Sequence, residues 1–294
     1  MVVFSIGFLY NLCIESKYKE NFIMNIFKQV KEFYKQESKA TLTIYLILRT
    51  LVIVCLVFEI IRGNWNNAFL CILTLFLYLI PFLVDKKLNI DLPNTMDILI
   101  FLFIFSAEIL GEIQNFYGII KHWDTILHTI NGFLCAAIGF SLIDILNRNT
   151  KININLSPIF VAIVAFCFSM TVGVLWEFFE FGMDSFTRLD MQKDRIVQEV
   201  SSVTLNPEGK NIPVELNDIY KTEIYSKSKD GDNMITIVDG GYLDIGIIDT
   251  MKDLLVNFVG AVVFSILGFL YIKNRDNYGF AANFIPKVKK NKEN

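Results

Sequence analysis

The chain has 294 residues, of which 53% are hydrophobic and 19% are charged, and its formal net charge is −3. This composition leaves too few polar side chains to cover a water-soluble fold of such length, so it excludes an ordinary soluble enzyme. The chain also lacks the concentrated basic surface that nucleic acid requires, and its five cysteines lie in apolar stretches without the spacing of a disulfide framework or cysteine metal site.

Six apolar segments follow one another along the chain. Each, with its flanks, is long enough to cross a hydrocarbon core that takes about 20 helical residues, and lipid offers no partner for non-helical backbone. The segments are residues 45–61, 68–84, 98–110, 126–146, 159–175 and 254–272. The sequence therefore predicts an all-α polytopic membrane protein with about six transmembrane helices.

The polar segment between helices five and six differs sharply in composition from the rest. Turn residues at 206–209 and 229–232 alternate with short Val, Ile, Tyr and Thr runs such as 235–238. This pattern favours a small β element, and a largely irregular insertion is the alternative.

The lysines and arginines of the short segments fall mostly on one side of the predicted helices. The positive-inside rule therefore places both termini in the cytoplasm, and the helix count places the insertion outside. The predicted organisation is a cytoplasmic amphipathic segment 1–40, transmembrane helices one to five at 41–183, an extracytoplasmic insertion at 184–248, helix six at 249–273 and a basic cytoplasmic tail at 274–294.

The first predicted segment has apolar residues at helical spacing after Met24, with lysines on the other faces. It is predicted to be a helix on the inner membrane surface, with a solvated helical arm as the alternative. The apolar residues before it are too few, and too poor in basic residues, for a cleaved signal peptide, and Met24 is an alternative start.

The candidate site residues are polar side chains near the outer ends of helices three to six. They are Glu108 and Glu112 on helix three, Asp124 and His128 on helix four, Glu177, Glu180 and Asp184 on helix five, and Asp249, Asp253 and Asn257 on helix six. Their spacing of three or four residues puts each set on one helix face. A charge at membrane depth costs about 2.5–3.5 kcal/mol, so several carboxylates together indicate partners, protonation or a water-filled cavity.

Three arrangements would hold these acids together. A divalent ion such as Mg²⁺, Mn²⁺ or Zn²⁺ suits carboxylates with one imidazole, and the proposed ligands are Asp124, His128, Glu177, Glu180, Asp249 and Asp253. Alternatively, neighbouring acids share protons, as a general acid or proton relay requires. The third arrangement is structural, with the outermost acids capping helix ends.

Several motifs together resemble a known family. His122-Trp-Asp-Thr-Ile-Leu-His128, Trp176-Glu-Phe-Phe-Glu180 and the Asp249, Asp253 and Asn257 helix, over about 60% of the chain, resemble the YjdF-type family of bacterial membrane proteins. A looser likeness is to VanZ-like proteins, through Asp124/His128, Glu177 and Asp253/Asn257 followed by Gly260. The VanZ-like family is linked to glycopeptide resistance at the cell envelope, and this chain differs from it in Glu180 and the long insertion. The resemblance implies a bacterial plasma-membrane protein.

The leading hypothesis is an outer-leaflet site that binds a divalent cation and acts on, or recognises, a lipid-linked or amphipathic envelope molecule. If the protein is an enzyme, His128 or Glu177 is the expected acid or base. The alternatives are a non-catalytic scaffold whose insertion binds an envelope partner and, with less support, a proton-coupled transporter. The lipid bilayer is the expected surrounding, nucleic acid is not an expected partner, and the sequence indicates no oligomeric state.

Overall fold

The computed structural model describes residues 38–88, 90–147, 156–187, 190–285 and 287–288. The predicted surface helix after Met24 lies outside these residues. Eight α-helices form within the described part of the chain. They are α1 (Lys39–Arg62), α2 (Trp65–Leu77), α3 (Ile80–Leu88), α4 (Asn94–Ile104), α5 (Phe116–Ile119), α6 (Trp123–Asn147), α7 (Pro158–Thr187) and α8 (Ile247–Lys273).

Five helices of the described residues are long and apolar enough to cross a membrane. These spans are Lys39–Arg62, Trp65–Val84, Trp123–Asp144, Pro158–Phe186 and Ile247–Lys273. The prediction of a polytopic all-α membrane protein is therefore confirmed. The second span is interrupted between α2 and α3, because Pro81 has no N–H to donate to the carbonyl oxygen of Leu77.

The third predicted segment consists of two kinds of helix. It begins at Asn94, directly after Pro93, and α4 is only 11 residues long. A π-helix, Phe105–Ile113, continues it. Such wider turns are uncommon and frequently occur at functional sites. Glu108 and Glu112 both lie in the π-helix.

Helices α6, α7 and α8 form the most closely packed part of the bundle. A Cβ atom built on Gly132 of α6 would overlap the carbonyl oxygen of Asn257, and one built on Gly260 of α8 would overlap the carbonyl oxygen of Thr129. Small residues at these crossings let membrane helices approach closely. These three helices therefore form the packed centre, with α6 and α8 parallel and α7 antiparallel to both.

The insertion between α7 and α8 contains antiparallel strand pairs, which confirms the predicted β element. The described strands of the insertion are β2 (Arg195–Val197), β3 (Val200–Ser202), β4 (Val214–Leu216), β5 (Lys221–Lys227), β6 (Asn233–Asp239) and β7 (Tyr242–Asp244). Strand β2 pairs with β7, β3 with β4, and β5 with β6. The pairing of β2 with β7 brings the two ends of the insertion together beside the start of α8.

At the end of the bundle away from the insertion, the chain that follows α8 packs against the helices. A short strand, β1 (Ile90–Asp91), precedes α4 and pairs with β8 (Lys287–Val288). Between α8 and β8, a 3₁₀ helix (Gly279–Asn283) packs against the bundle, and the ring of Phe284 meets that of Phe133 at 5.5 Å. The tail predicted only as a basic anchor therefore also contributes apolar packing.

Candidate functional site

The candidate site lies where the bundle meets the insertion. Helices α6 and α8 both begin there, and α7 ends there, so one turn from each helix points into a common space. Asp124 and His128 come from α6, Glu177 from α7 and Asp253 from α8. The spacing of four residues between Asp124 and His128 puts both on the α6 face that meets α8.

His128 is at the centre of this group. Its Nε2 atom is 3.3 Å from Asp124 Oδ1 and 3.9 Å from Asp253 Oδ2, and its Nδ1 atom is 3.9 Å from Glu177 Oε1. One ligand atom each from Asp124, His128 and Asp253 lies within 4.8 Å of the others. These three residues therefore have the mutual distances that a single bound metal ion requires.

Burial makes this group of charges costly unless it is compensated. Glu177 is 3% exposed and Asp253 is 2% exposed. Glu177 Oε2 accepts no hydrogen bond from the described residues. A buried polar atom without a partner loses its hydration without replacement, at a cost of about 1–3 kcal/mol. The cluster therefore retains an unfilled capacity to accept a proton or a cation.

Lys252 is a member of the cluster that the sequence prediction missed. Its ammonium nitrogen is 3.4 Å from Asp124 Oδ2 and 3.7 Å from Asp253 Oδ1. The sequence signal was available, because Lys252 directly precedes Asp253 in the first turns of α8, among the acids of the predicted site. Its ammonium partly neutralises the two carboxylates.

Two of the predicted site residues hold the start of the insertion. Asp184, at the end of α7, accepts hydrogen bonds from the amides of Met191 (2.7 Å) and Gln192 (2.9 Å). Asp249, in the first turn of α8, accepts one from the amide of Lys193 (2.9 Å) and pairs with Arg195 at 3.3 Å. Residues 190–195 are thus fixed beside the site, a segment called the strap below.

Glu180 is buried but has a different neighbour. Its Oε1 atom accepts a hydrogen bond of 2.8 Å from the indole nitrogen of Trp176, one turn earlier on α7. Glu177, Glu180 and Asp249 do not belong to the described group with metal-ligand distances, which contains Asp124, His128 and Asp253. Their predicted role as metal ligands has no geometric support of that kind.

The acids of the π-helix lie beside Tyr117. Glu108 is buried and Glu112 is exposed. The Tyr117 ring lies against Gly111, where a side chain would collide with it. Burial, and next the negative charge of Glu112, raises the pKa of the Tyr117 phenol above its ordinary value.

Asn257 lies one turn further into the bundle than Asp253. Its side chain accepts a hydrogen bond of 3.1 Å from Asn131 of α6 and approaches the carbonyl oxygen of Ser169 in α7 at 3.5 Å. Ser169 in turn donates to the carbonyl oxygen of Gly132 at 2.7 Å. Asn257 therefore links three helices beneath the cluster and fixes the register that places Asp253 opposite His128.

Comparison with known proteins places the chain in a family. A sequence profile of the family described as "Predicted membrane protein (DUF2238)" matches residues 43–274, well over half of the chain. The chain belongs to this family. The matched region contains the five spans almost completely, the cluster and the whole insertion.

An uncharacterized protein of Thermotoga maritima is 27% identical to the chain over 104 residues, which is 35% of this chain. The match spans about half of the relative's length, 52%. No solved structure matches the chain.

Proposed function

We propose that this member of the DUF2238 family binds a divalent cation through Asp124, His128 and Asp253. The observation that carries the proposal is the position of the two aspartates around His128 Nε2, within metal-ligand distance of each other. One imidazole nitrogen with two carboxylates suits Zn²⁺ or Mn²⁺, and Mg²⁺ would rely mainly on the carboxylates.

Glu177 would orient the histidine in this site. Metal-binding histidines usually donate their second ring N–H to a carboxylate, which fixes the tautomer and makes the ligand nitrogen more basic. Glu177 Oε1 is 3.9 Å from His128 Nδ1, on the ring side opposite the two aspartates. This separation exceeds hydrogen-bond length, so a small ring movement on cation binding would complete the contact.

The site leaves room for a ligand. Three protein ligands leave at least one coordination position open, as in catalytic rather than structural zinc sites. The side chains of His128 and Asp124 are 13% and 24% exposed, so the cluster is reachable from outside the bundle. A cation there would polarise a ligand oxygen or lower the pKa of a bound water. With His128 Nε2 on the cation, Glu177 would be the group that moves the proton.

The molecule recognised would come from the membrane surface. The cluster lies at the insertion end of membrane-spanning helices, so a ligand with an apolar tail and a polar head would place its head there. The charge distribution supports an extracytoplasmic insertion with both termini in the cytoplasm. The YjdF-type motifs support a bacterial plasma membrane, where a lipid-linked or amphipathic envelope molecule would be the ligand.

Metal content tests the proposal. The full chain, purified in detergent without chelators, should retain about one Zn²⁺ or Mn²⁺ per chain in elemental mass spectrometry, and Asp124→Asn/His128→Ala should lose it. The matched control is Asp230→Asn/His122→Ala, which changes the other histidine and an exposed aspartate of the insertion. The proposal fails if the wild type holds no ion and shows no shift in melting temperature with added Zn²⁺ or Mn²⁺.

One feature favours a second candidate function, that of a scaffold for an envelope partner. Strands β5 and β6 form a two-stranded ribbon that carries exposed Tyr225 (72%), Ile235 (56%) and Ile237 (53%). Such ribbons gain stability from further strands or a packed face. Loss of function on deleting the ribbon, but not on changing Asp124 and His128, would favour this candidate.

A further inference from the structure

Lys252 occupies the space between the two aspartates of the proposed cation site. Its ammonium is within 4 Å of a carboxylate oxygen of both Asp124 and Asp253. The aspartate oxygens nearest His128 are the other pair, Asp124 Oδ1 and Asp253 Oδ2. Each carboxylate thus faces the ammonium with one oxygen and the imidazole with the other.

A divalent cation would change this balance. Two positive charges close together repel strongly at low dielectric, so a cation on Asp124 and Asp253 would weaken the attraction of both carboxylates for Lys252. The Lys252 side chain is 30% exposed and has a flexible four-carbon stem. It can therefore turn from the carboxylates towards the mouth of the site without entering the apolar core.

Other cationic groups flank the same mouth. Arg195, whose side chain is 43% exposed, pairs with Asp249 one helical turn before Asp253. The first turn of α8 also has the positive end of its helix dipole here, because the helix begins at Ile247. An anion at this position would meet positive charge from the strap, the helix terminus and the freed Lys252.

We propose that Lys252 is the anion-binding residue of this site, released from Asp124 and Asp253 by the divalent cation to bind a phosphate group of the ligand. This inference rests on the proposed cation site. It deepens that proposal by assigning the ligand class: a phosphate monoester carried by an amphipathic molecule. The cation and Lys252 would each contact the phosphate, since phosphate oxygens bind hard cations and lysine ammonium groups alike.

Glu177, the third carboxylate of the cluster, is the reason that a phosphate group should bind only when a divalent cation is also bound. Glu177 stays buried on the far side of His128, where it repels any anion that approaches the cluster alone. Phosphate binding should therefore depend on the divalent cation. By linkage, phosphate should raise the affinity for the cation by the same factor.

Calorimetry on the full chain tests the inference with Mn²⁺ and two phosphate probes. The probes are phenyl phosphate in solution, with the protein in detergent, and phosphatidic acid in phosphatidylcholine nanodiscs. The variants are Lys252→Gln, the charge-conserving Lys252→Arg, and Lys210→Gln as a control at an exposed lysine of the insertion, paired only with Glu208.

Wild type should bind the phosphate probes only with Mn²⁺ present. Lys252→Gln should bind Mn²⁺ at least as tightly as wild type, since the competing ammonium is gone, and should lose about tenfold or more in phosphate affinity. Lys252→Arg and Lys210→Gln should keep phosphate binding. Binding of phosphatidic acid, with or without phenyl phosphate, supports a phosphate carried by an amphipathic molecule. Binding of phenyl phosphate alone would overturn the assignment to an amphipathic molecule.

Two results would overturn the inference while leaving the cation site intact. One is equal phosphate binding by wild type with and without Mn²⁺. This measurement uses only the wild-type protein, so it does not depend on whether a variant folds. The other is Mn²⁺ binding without affinity for either probe, or with equal affinity in Lys252→Gln. A failure of wild type to bind Mn²⁺ would instead reject the proposed function itself.

Discussion

Replacing Gly260 by alanine tests whether close contact between α6 and α8 sets the geometry of the cluster. A Cβ atom on Gly260 would lie 2.9 Å from the amide nitrogen of Phe133 and 3.0 Å from the carbonyl carbon of Thr129, where ordinary contacts begin at 3.4 Å. It would also overlap the carbonyl oxygen of Thr129. Because the Thr129 oxygen is the closest of these atoms, the helices must separate by about 1 Å or more at this level.

The obstructing atoms are backbone, which cannot rotate away, so the cost should lie near the upper end of the 1–3 kcal/mol typical of overpacking. The higher helix propensity of alanine offsets up to about 1 kcal/mol of this destabilisation. The expected net loss is about 2 kcal/mol, or roughly 4–8 °C in melting temperature for a chain of this size. The same separation should widen the 3.9 Å gap between His128 and Asp253 and weaken Mn²⁺ binding.

The matched control is Gly182→Ala in α7, because a Cβ atom there meets nothing within 4 Å. It should be neutral or slightly stabilising. Thermal unfolding in detergent, followed by tryptophan fluorescence, gives the melting temperatures, and calorimetry gives the Mn²⁺ affinity. Equal melting temperatures for Gly260→Ala and wild type would refute the contribution of this contact.

Two further predictions concern the insertion. Asp249→Asn keeps an acceptor for the Lys193 amide but loses the negative charge that faces Arg195. Limited proteolysis should therefore cut the strap several-fold faster in this variant than in wild type. An unchanged cleavage rate would contradict this prediction. The hydrogen bond from Lys221 lowers the pKa of Glu223, so this contact is present above the ordinary glutamate pKa and is lost as the pH falls through the lowered value. In Lys221→Met, carboxyl NMR should show that pKa returning towards about 4.3.

The sequence predicted the membrane class because the two strongest signals in it are local. Runs of apolar residues require helices wherever lipid surrounds the backbone. The change of composition after the fifth apolar segment likewise marked the insertion, whose turn and β residues indicated strands. Helical spacing also placed Asp124 and His128 on one face. The change to a π-helix at Phe105 has no comparable local signal and was not predicted.

The pairing of polar groups between helices was decided by tertiary structure. The position of Lys252 beside Asp253 indicated that it lies near the site, but only the fold shows that it faces Asp124, which is 128 positions earlier. Asp249 and Asp184 were assigned to the site by spacing, yet their carboxylates hold the strap.

Hydrophobicity and the helical period are local properties, and they fix which residues lie at membrane depth and on which helix face. Which of those residues meet depends on how deeply and in what rotation α6, α7 and α8 pack. That is set by the close crossing at Gly132 and Gly260 and the contacts of Asn257, which join positions far apart in the chain. Only the folded bundle therefore determines that His128 lies between Asp124, Asp253 and Glu177.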